Sequence, residues 1–292
     1  PDIFLRVTML PEKIELRILP EKEELPAPAG ADYSAKCKET KDALKTFLYE
    51  TLSHHTGQRL PWGDLIGIRP TKIAMTKMEE GLKEEETITF LEKEHQVSEE
   101  KARLAVDIAE REKRILSGIH YENGYSLYVG IPFCPTTCLY CSFPSFNIAL
   151  WKERIGEYLS ALERELEETA AIMKDRILDT VYIGGGTPTS LEADELDRLC
   201  SAIEKNFDMS TVQEFTVEAG RPDSITKEKL QALHRHPITR ISVNPQTMKE
   251  ETLQIIGRHH TVQQVVDTFL LARECGFDNI NMDLILGLPG EL

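Results

Sequence analysis

Three cysteines, Cys134, Cys138 and Cys141, share the run Gly130-Ile131-Pro132-Phe133-Cys134-Pro135-Thr136-Thr137-Cys138-Leu139-Tyr140-Cys141-Ser142-Phe143. A structural zinc site takes four thiolate or imidazole ligands and closes its coordination sphere. Three thiolates on an iron-sulfur cubane leave one iron free to bind something else, and chemistry can begin there. A zinc knuckle needs a further ligand, with His120, His259 and His260 as candidates, but no histidine stands at finger-like spacing from the cysteines. A redox Cys-x2-Cys dithiol leaves Cys134 without a role.

The remaining cysteines, Cys37, Cys200 and Cys275, are isolated in stretches that read as helix, so the set is not the disulfide framework of a small secreted domain. No signal peptide and no apolar run of about 18 residues is present. A reducing cytoplasm without membrane insertion is the expected setting. With 34 basic against 49 acidic residues and a formal net charge of -15, the chain carries no general electrostatic footprint for nucleic acid. An anionic ligand must be met by a local basic pocket.

Elements are needed to position the clip. From Ser126 onward, apolar strand, polar loop and amphipathic helix repeat. Strands are expected at Ser126 to Ile131, Thr180 to Ile183, Glu214 to Val217, Arg240 to Val243 and Asn279 to Leu284. The first intervening helix carries Ile155, Leu159, Leu162, Leu166 and Met173 as one apolar stripe. Such repeats predict an α/β fold with a parallel sheet covered by helices, closing as a partial (β/α) TIM-type barrel over residues 119–292. A small α+β domain over residues 1–118 precedes it.

In that domain, Asp2 to Leu19 reads as a hairpin-like pair around Leu10-Pro11-Glu12, and Glu21 to Ser34 as a linker or exposed loop. Helices are expected from Leu44 to Gly57, Thr71 to Met78, Glu85 to His95 and Ser98 to Leu116. The loop from Leu60 to Lys72 is either packed by Trp62 or, with Arg69 and Lys72, a ligand wall. Both ends read as cut from a longer protein. The barrel is expected to be truncated after its fifth strand, with a sixth strand beyond Leu292.

In a parallel β/α array, functional groups collect at the carboxyl ends of the strands. Here the cysteine clip follows the first strand, Gly184-Gly185-Gly186-Thr187-Pro188 the second, Glu218 the third and Gln246 the fourth, and Asp283 lies near the end of the fifth. Singly these are weak signals: a glycine run is a tight turn or a place where backbone N–H groups approach a ligand, and a strand-end Glu is commonly a solvated carboxylate. Their agreement in strand order lifts them together. Arg221 and Arg258 are the best-placed local cations, whereas Arg240 opens its strand and belongs to the opposite rim.

The clip after the first barrel strand, with Gly-Gly-Gly-Thr-Pro after the second, resembles the radical S-adenosylmethionine superfamily. Narrower strings resemble its oxygen-independent coproporphyrinogen III oxidase (dehydrogenase) family, in a subgroup with an extra N-terminal domain. They are Leu127-Tyr128-Val129-Gly130-Ile131-Pro132-Phe133-Cys134, Arg240-Ile241-Ser242-Val243-Asn244-Pro245-Gln246 and Asn281-Met282-Asp283-Leu284-Ile285-Leu286-Gly287-Leu288-Pro289-Gly290. The resemblance covers Ser126 to Leu292, and Leu60 to Lys72 more loosely.

It implies a 4Fe-4S cluster on Cys134, Cys138 and Cys141 whose fourth iron chelates S-adenosyl-L-methionine, and one-electron cleavage of that cofactor to a 5'-deoxyadenosyl radical. It further implies cofactor contacts from Tyr128, Tyr140, Gly185, Gly186, Thr187, Glu218, Gln246, Arg258 and Asp283. An acid, an amide and a guanidinium suit an ammonium, ribose hydroxyls and a carboxylate respectively. The implied activity is oxidative decarboxylation of coproporphyrinogen III propionates to vinyl groups, fed by an external electron donor such as flavodoxin or ferredoxin. Arg221 and Arg258 are then the substrate-side candidates for an anionic tetrapyrrole. A haem-binding chaperone of the same family and a radical haem ring-opening enzyme are the alternatives. The family's oxidases usually carry a fourth cysteine and a histidine where this chain has Phe143 and Gly130.

Overall fold

The computed structural model describes residues 5–9, 13–18, 21–26, 33–67 and 69–291. The turn expected at Leu10-Pro11-Glu12, the ends of the hairpin reading at 2–4 and 19, residues 27–32 of the expected linker, Ile68 and Leu292 lie outside the described residues. Contacts divide the chain into a first unit, Pro1–Gly118, and a second, Ile119–Leu292.

The first unit opens with strands β1 (Leu5–Met9), β2 (Lys13–Ile18) and β3 (Glu21–Pro26), an antiparallel sheet in that order. The first two are the expected pair. The third corrects the linker reading: the acidic stretch Glu21–Pro26 runs in register against β2, Leu16 opposite Glu23 and Ile18 opposite Glu21. Helices α1 (Tyr33–Thr56), α2 (Thr71–Glu79), α3 (Glu84–His95) and α4 (Glu99–Leu116) follow. Three glutamates in the first turn of α3 complement its dipole, and Ser98 caps α4 by accepting from the Lys101 N–H. Ala74, Leu91, Ala102, Ala105 and Ala109 are buried where α2, α3 and α4 meet, small side chains that permit close helix approach. Trp62 packs against this cluster, and its loop is pinned by Ser98 N–H to Pro61 O at 2.9 Å.

The second unit contains β4 (Gly124–Ile131), the two-residue strands β5 (Phe133–Cys134) and β6 (Phe146–Asn147), α5 (Ile155–Ile172) and β7 (Ile177–Gly185). It continues through α6 (Ala193–Asn206), β8 (Glu214–Gly220), α7 (Lys227–His234), β9 (Arg240–Val243), α8 (Glu250–Ile255), α9 (Val262–Glu274) and β10 (Ile280–Asn281). The main sheet is parallel throughout, in the order β10-β9-β8-β7-β4. Each strand neighbours its predecessor through a helical crossover, which is the winding of a (β/α) barrel arc.

Side chains alternate across these strands. Leu127, Val129, Ile131, Val181, Ile183, Phe215, Val217, Ile241 and Val243 point to one face and are buried with Leu159, Leu166, Leu196, Leu199, Leu230 and Leu233 of the helices. Each such side chain contributes about 1.5–3 kcal/mol by leaving water. The register puts the other set in layers: Ser126 beside Thr180 beside Glu214, then Tyr128 beside Tyr182 beside Thr216, then Gly130 beside Gly184, with Glu218 beside Ser242 further along. The face turned from the helices is therefore polar and glycine-rich, shaped to receive a polar ligand rather than more core.

The last strand is shorter than expected from Asn279 to Leu284. After Asn281 the chain leaves the ladder and is taken up by Gln246, whose N–H donates to Asp283 O at 3.0 Å and whose carbonyl accepts from Ile285 N–H at 2.9 Å. Gln246 adopts φ 67° to do so, a left-handed conformation uncommon for a residue with a side chain.

Candidate functional site

The clip begins where β4 ends. Gly186 N–H donates to Ile131 O and Thr187 N–H to Phe133 O, both at 2.7 Å, so the loop after β7 is laced onto the segment that carries Cys134. The lacing leaves no room for a side chain: a Cβ on Gly186 would stand 2.6 Å from Phe133 O and 2.9 Å from Cys134 Sγ. Both N–H groups point into the protein. The glycines let the loop after β7 pack directly on the backbone of Ile131 and Phe133.

Cys134 is buried, with Thr187 Oγ1 at 3.4 Å from its Sγ, while Cys138 and Cys141 are half-buried. Burial pushes the Cys134 thiol up, Thr187 and the Arg221 guanidinium draw it down, and the charges of Cys138 and Cys141 act on it as near neighbours. The loop between the cysteines is held from below. Arg221 is buried; Nη1 donates to Thr136 Oγ1 at 2.7 Å and Thr136 O at 3.2 Å, and Nε and Nη2 clasp Asp223 at 3.0 and 2.8 Å. Thr136 Oγ1 donates to Gly257 O at 3.2 Å, and Leu139 N–H to Ile256 O at 3.0 Å.

Two carboxylates, Glu218 and Asp283, neighbour each other at the strand ends. Burial raises Glu218, the hydroxyl of Tyr182 opposes this by donating to Oε1, and the charge of Asp283 raises it further. Tyr182 is stacked by Tyr128, centroids 5.8 Å apart and planes at 10°. Asn281 Nδ2 donates to Asp283 Oδ1 at 2.8 Å. Among the described residues neither Glu218 nor Asp283 has a basic partner within ion-pair distance.

Arg258 is 6% exposed, with Nη1 on Asn244 O at 2.5 Å. Its charge and that of Cys138 act on Tyr140, whose phenol burial pushes up to about 12. The structure thus brings the three cysteines, Thr187, Glu218, Asp283, Tyr140 and Arg258 to one rim, with Tyr128 below on the polar face and Gln246 as the clasp between the fourth and fifth strand ends. Arg221, expected toward substrate, has its guanidinium engaged within the protein. Arg240 lies at the strand starts, its Nη2 on Asn281 Oδ1 at 2.8 Å.

Tyr182 was not singled out by sequence because a tyrosine inside a strand reads as core; its place two residues before the glycine run is the one signal that points to it. Among the described residues no group of three or more His, Cys, Asp or Glu side chains is disposed to hold a metal ion. A closed zinc site with His120 does not form: its Nδ1 is 2.8 Å from Asp179 Oδ1 at the start of the sheet. The donor set fits a cubane better, because four irons spread their thiolates wider than one ion does. It supplies three thiols from one loop, one of them buried beside glycine backbone, with two less buried. No helix among the described residues is long and apolar enough to cross a membrane.

The family model described as the Radical SAM superfamily matches residues 128–292. The oxygen-independent coproporphyrinogen-III oxidase-like protein HemZ of Bacillus subtilis (strain 168) is 42% identical over 258 residues, covering 87% of this chain and 52% of its own length. The heme chaperone HemW of the same organism is 42% identical over 167 residues, 57% of this chain and 43% of its own. The solved structure of coproporphyrinogen III oxidase (HemN) from Escherichia coli, described as a radical SAM enzyme, superposes with a TM-score of 0.52. It is 29% identical and covers 60% of this chain and 41% of that one. The chain spans about half the length of the curated relatives it matches.

Proposed function

Since this chain belongs to the radical SAM superfamily, we propose that it oxidatively decarboxylates a porphyrinogen propionate to a vinyl group, with coproporphyrinogen III as substrate. The observation that carries the cofactor half is the make-up of the rim: three thiols, the neighbouring carboxyls of Glu218 and Asp283 without a basic partner among the described residues, and the Arg258 guanidinium beside Tyr140. That arrangement complements an amino-acid zwitterion beside three thiols. The oxidase half rests on the HemZ likeness, which extends over 87% of the chain against 57% for HemW.

Cys134, Cys138 and Cys141 would hold a 4Fe-4S cluster, which would supply one-electron reductive chemistry to S-adenosyl-L-methionine. The protein's own residues orient. Glu218, held by Tyr182, and its neighbour Asp283 receive the ammonium; Arg258 receives the carboxylate; Gln246 meets ribose hydroxyls; Tyr128 and Tyr140 wall the mouth. Gly185 and Gly186 let the ligand approach the backbone, and Thr187 braces Cys134 from behind. Arg221 acts on the clip by holding Thr136. In the substrate, the propionate loses one hydrogen atom, carbon dioxide and one electron to an acceptor, leaving a vinyl group.

The test is anaerobic reconstitution with iron and sulfide, then incubation with reductant, S-adenosyl-L-methionine and coproporphyrinogen III. Deoxyadenosine with a vinyl product is expected, and Cys138→Ala should lose the cluster. Deoxyadenosine without vinyl product overturns the substrate assignment. A haem-carrying role is the second reading, favoured by the HemW likeness and by exposed Phe143 where the oxidases have a cysteine. Stable haem binding with no turnover of the porphyrinogen selects it.

A further inference from the structure

His260 is 2% exposed, and neither ring nitrogen has a hydrogen-bond partner within the protein. Nε of Arg258 and Oδ1 of Asn244 share that condition. These are four of the five buried side-chain nitrogen and oxygen atoms without a partner among the described residues; the fifth, Nε of Arg240, sits at the other end of the sheet. The four belong together. Arg258 Nη1 is bonded to Asn244 O at 2.5 Å, and of all charged groups Arg258 acts most strongly on His260, ahead of Asp223, Arg221 and Glu250.

Native proteins rarely leave such atoms unpaired. Burial first, then the Arg258 charge, draws the imidazole down to about 4, so at neutral pH it is uncharged, with one nitrogen donating and the other accepting. Arg258 Nε can only donate and Asn244 Oδ1 can only accept. Each atom is sealed from solvent. Water both donates and accepts, and a buried water commonly makes about three hydrogen bonds.

We propose that Asn244, Arg258 and His260 enclose ordered water, and that through it His260 is a positioning residue that fixes the Arg258 guanidinium toward an anionic ligand beside the clip. The inference rests on the reading above in which Arg258 meets the carboxylate of S-adenosyl-L-methionine. The guanidinium is held by Nη1 on Asn244 O and by its contact with Tyr140; a further anchor at Nε restrains its remaining rotation.

The experiment uses the reconstituted protein without reductant, with S-adenosyl-L-methionine as the probe in equilibrium dialysis. His260→Phe is expected to weaken binding roughly tenfold, the equivalent of about one hydrogen bond, with iron content unchanged. His260→Gln, which keeps a donor and an acceptor, is expected to restore most of it. A crystal structure should show water within hydrogen-bond distance of Arg258 Nε and a His260 ring nitrogen. Parental affinity in His260→Phe, or no such water, overturns the proposal. Should His260→Phe fail to fold or load iron, His260→Gln decides alone, and weak binding with a full cluster counts against it. Arg258→Ala separates the two readings: unchanged affinity there removes the role of Arg258 itself, whereas lost affinity there with parental His260→Phe removes only the water-mediated anchor.

Discussion

Arg221 holds Thr136 across a separation of 85 residues, with Nη1 at 2.7 Å from the threonine hydroxyl, while the rest of its guanidinium is clasped by Asp223. Removing the arginine leaves a carboxylate without its cation and frees the middle of the clip. Arg221→Ala is expected to destabilise the fold by about 3 kcal/mol and to lower iron and acid-labile sulfide per chain. Arg221→Lys should fall between, since one ammonium cannot serve Thr136 and Asp223 in the same fork. A full cluster in Arg221→Ala would show that the clip needs no support.

Tyr182→Phe removes the hydrogen bond that opposes the upward push of burial and Asp283 on Glu218. The carboxyl of the variant should therefore take its proton at higher pH than in the parent. With Glu218 meeting the ammonium of S-adenosyl-L-methionine as proposed above, binding requires its ionised form, so the acid limb of the affinity-versus-pH curve is expected to shift to higher pH. Superimposable acid limbs would mean that Glu218 does not meet the ammonium.

Gly186→Ala inserts a methyl 2.6 Å from Phe133 O and 2.9 Å from Cys134 Sγ, against backbone that cannot yield. Loss of cluster loading is expected, read from visible absorbance and iron content. Gly156→Ala, near the start of α5 with nothing within 4 Å of the new Cβ, is the matched control. It should load normally and gain a few tenths to about 1 kcal/mol in chemical unfolding, as alanine replaces glycine in a helix.

His260 gives the fold a pH dependence of known sign. Its ring, pushed from 6.5 to about 4, refuses a proton that the unfolded chain accepts, so stability falls as pH drops from about 6.5 toward about 4. The full effect is on the order of 3 kcal/mol. Urea unfolding of the parent and His260→Gln across that range should give a shallower decline for the variant. Parallel curves would place the ring in water.

The strand order and the rim were legible in sequence because alternation, glycine runs and strand-end polar residues are local signals. Glu21–Pro26 was not: its acidic composition suits a linker, and pairing with β2 outweighs that preference. Tyr182 escaped, and Arg221 was read toward substrate instead of toward the clip, for a different reason. Their roles depend on partners 36 and 85 residues away, and spacing carries no record of such neighbours. The shortness of the fifth strand follows from the left-handed turn at Gln246, a residue whose type gives no warning of it.

The clip is stitched to residues that come much later in the chain, the bond from Thr136 to Gly257 spanning 121 positions. During synthesis the three thiols emerge long before the segment that shapes them, and contacts of such separation form late. Until Gly257 has left the ribosome, the nascent cysteines are an unshaped and oxidisable run. The order of synthesis therefore separates the appearance of the three thiols from the appearance of the segment around Gly257 that gives their loop its shape.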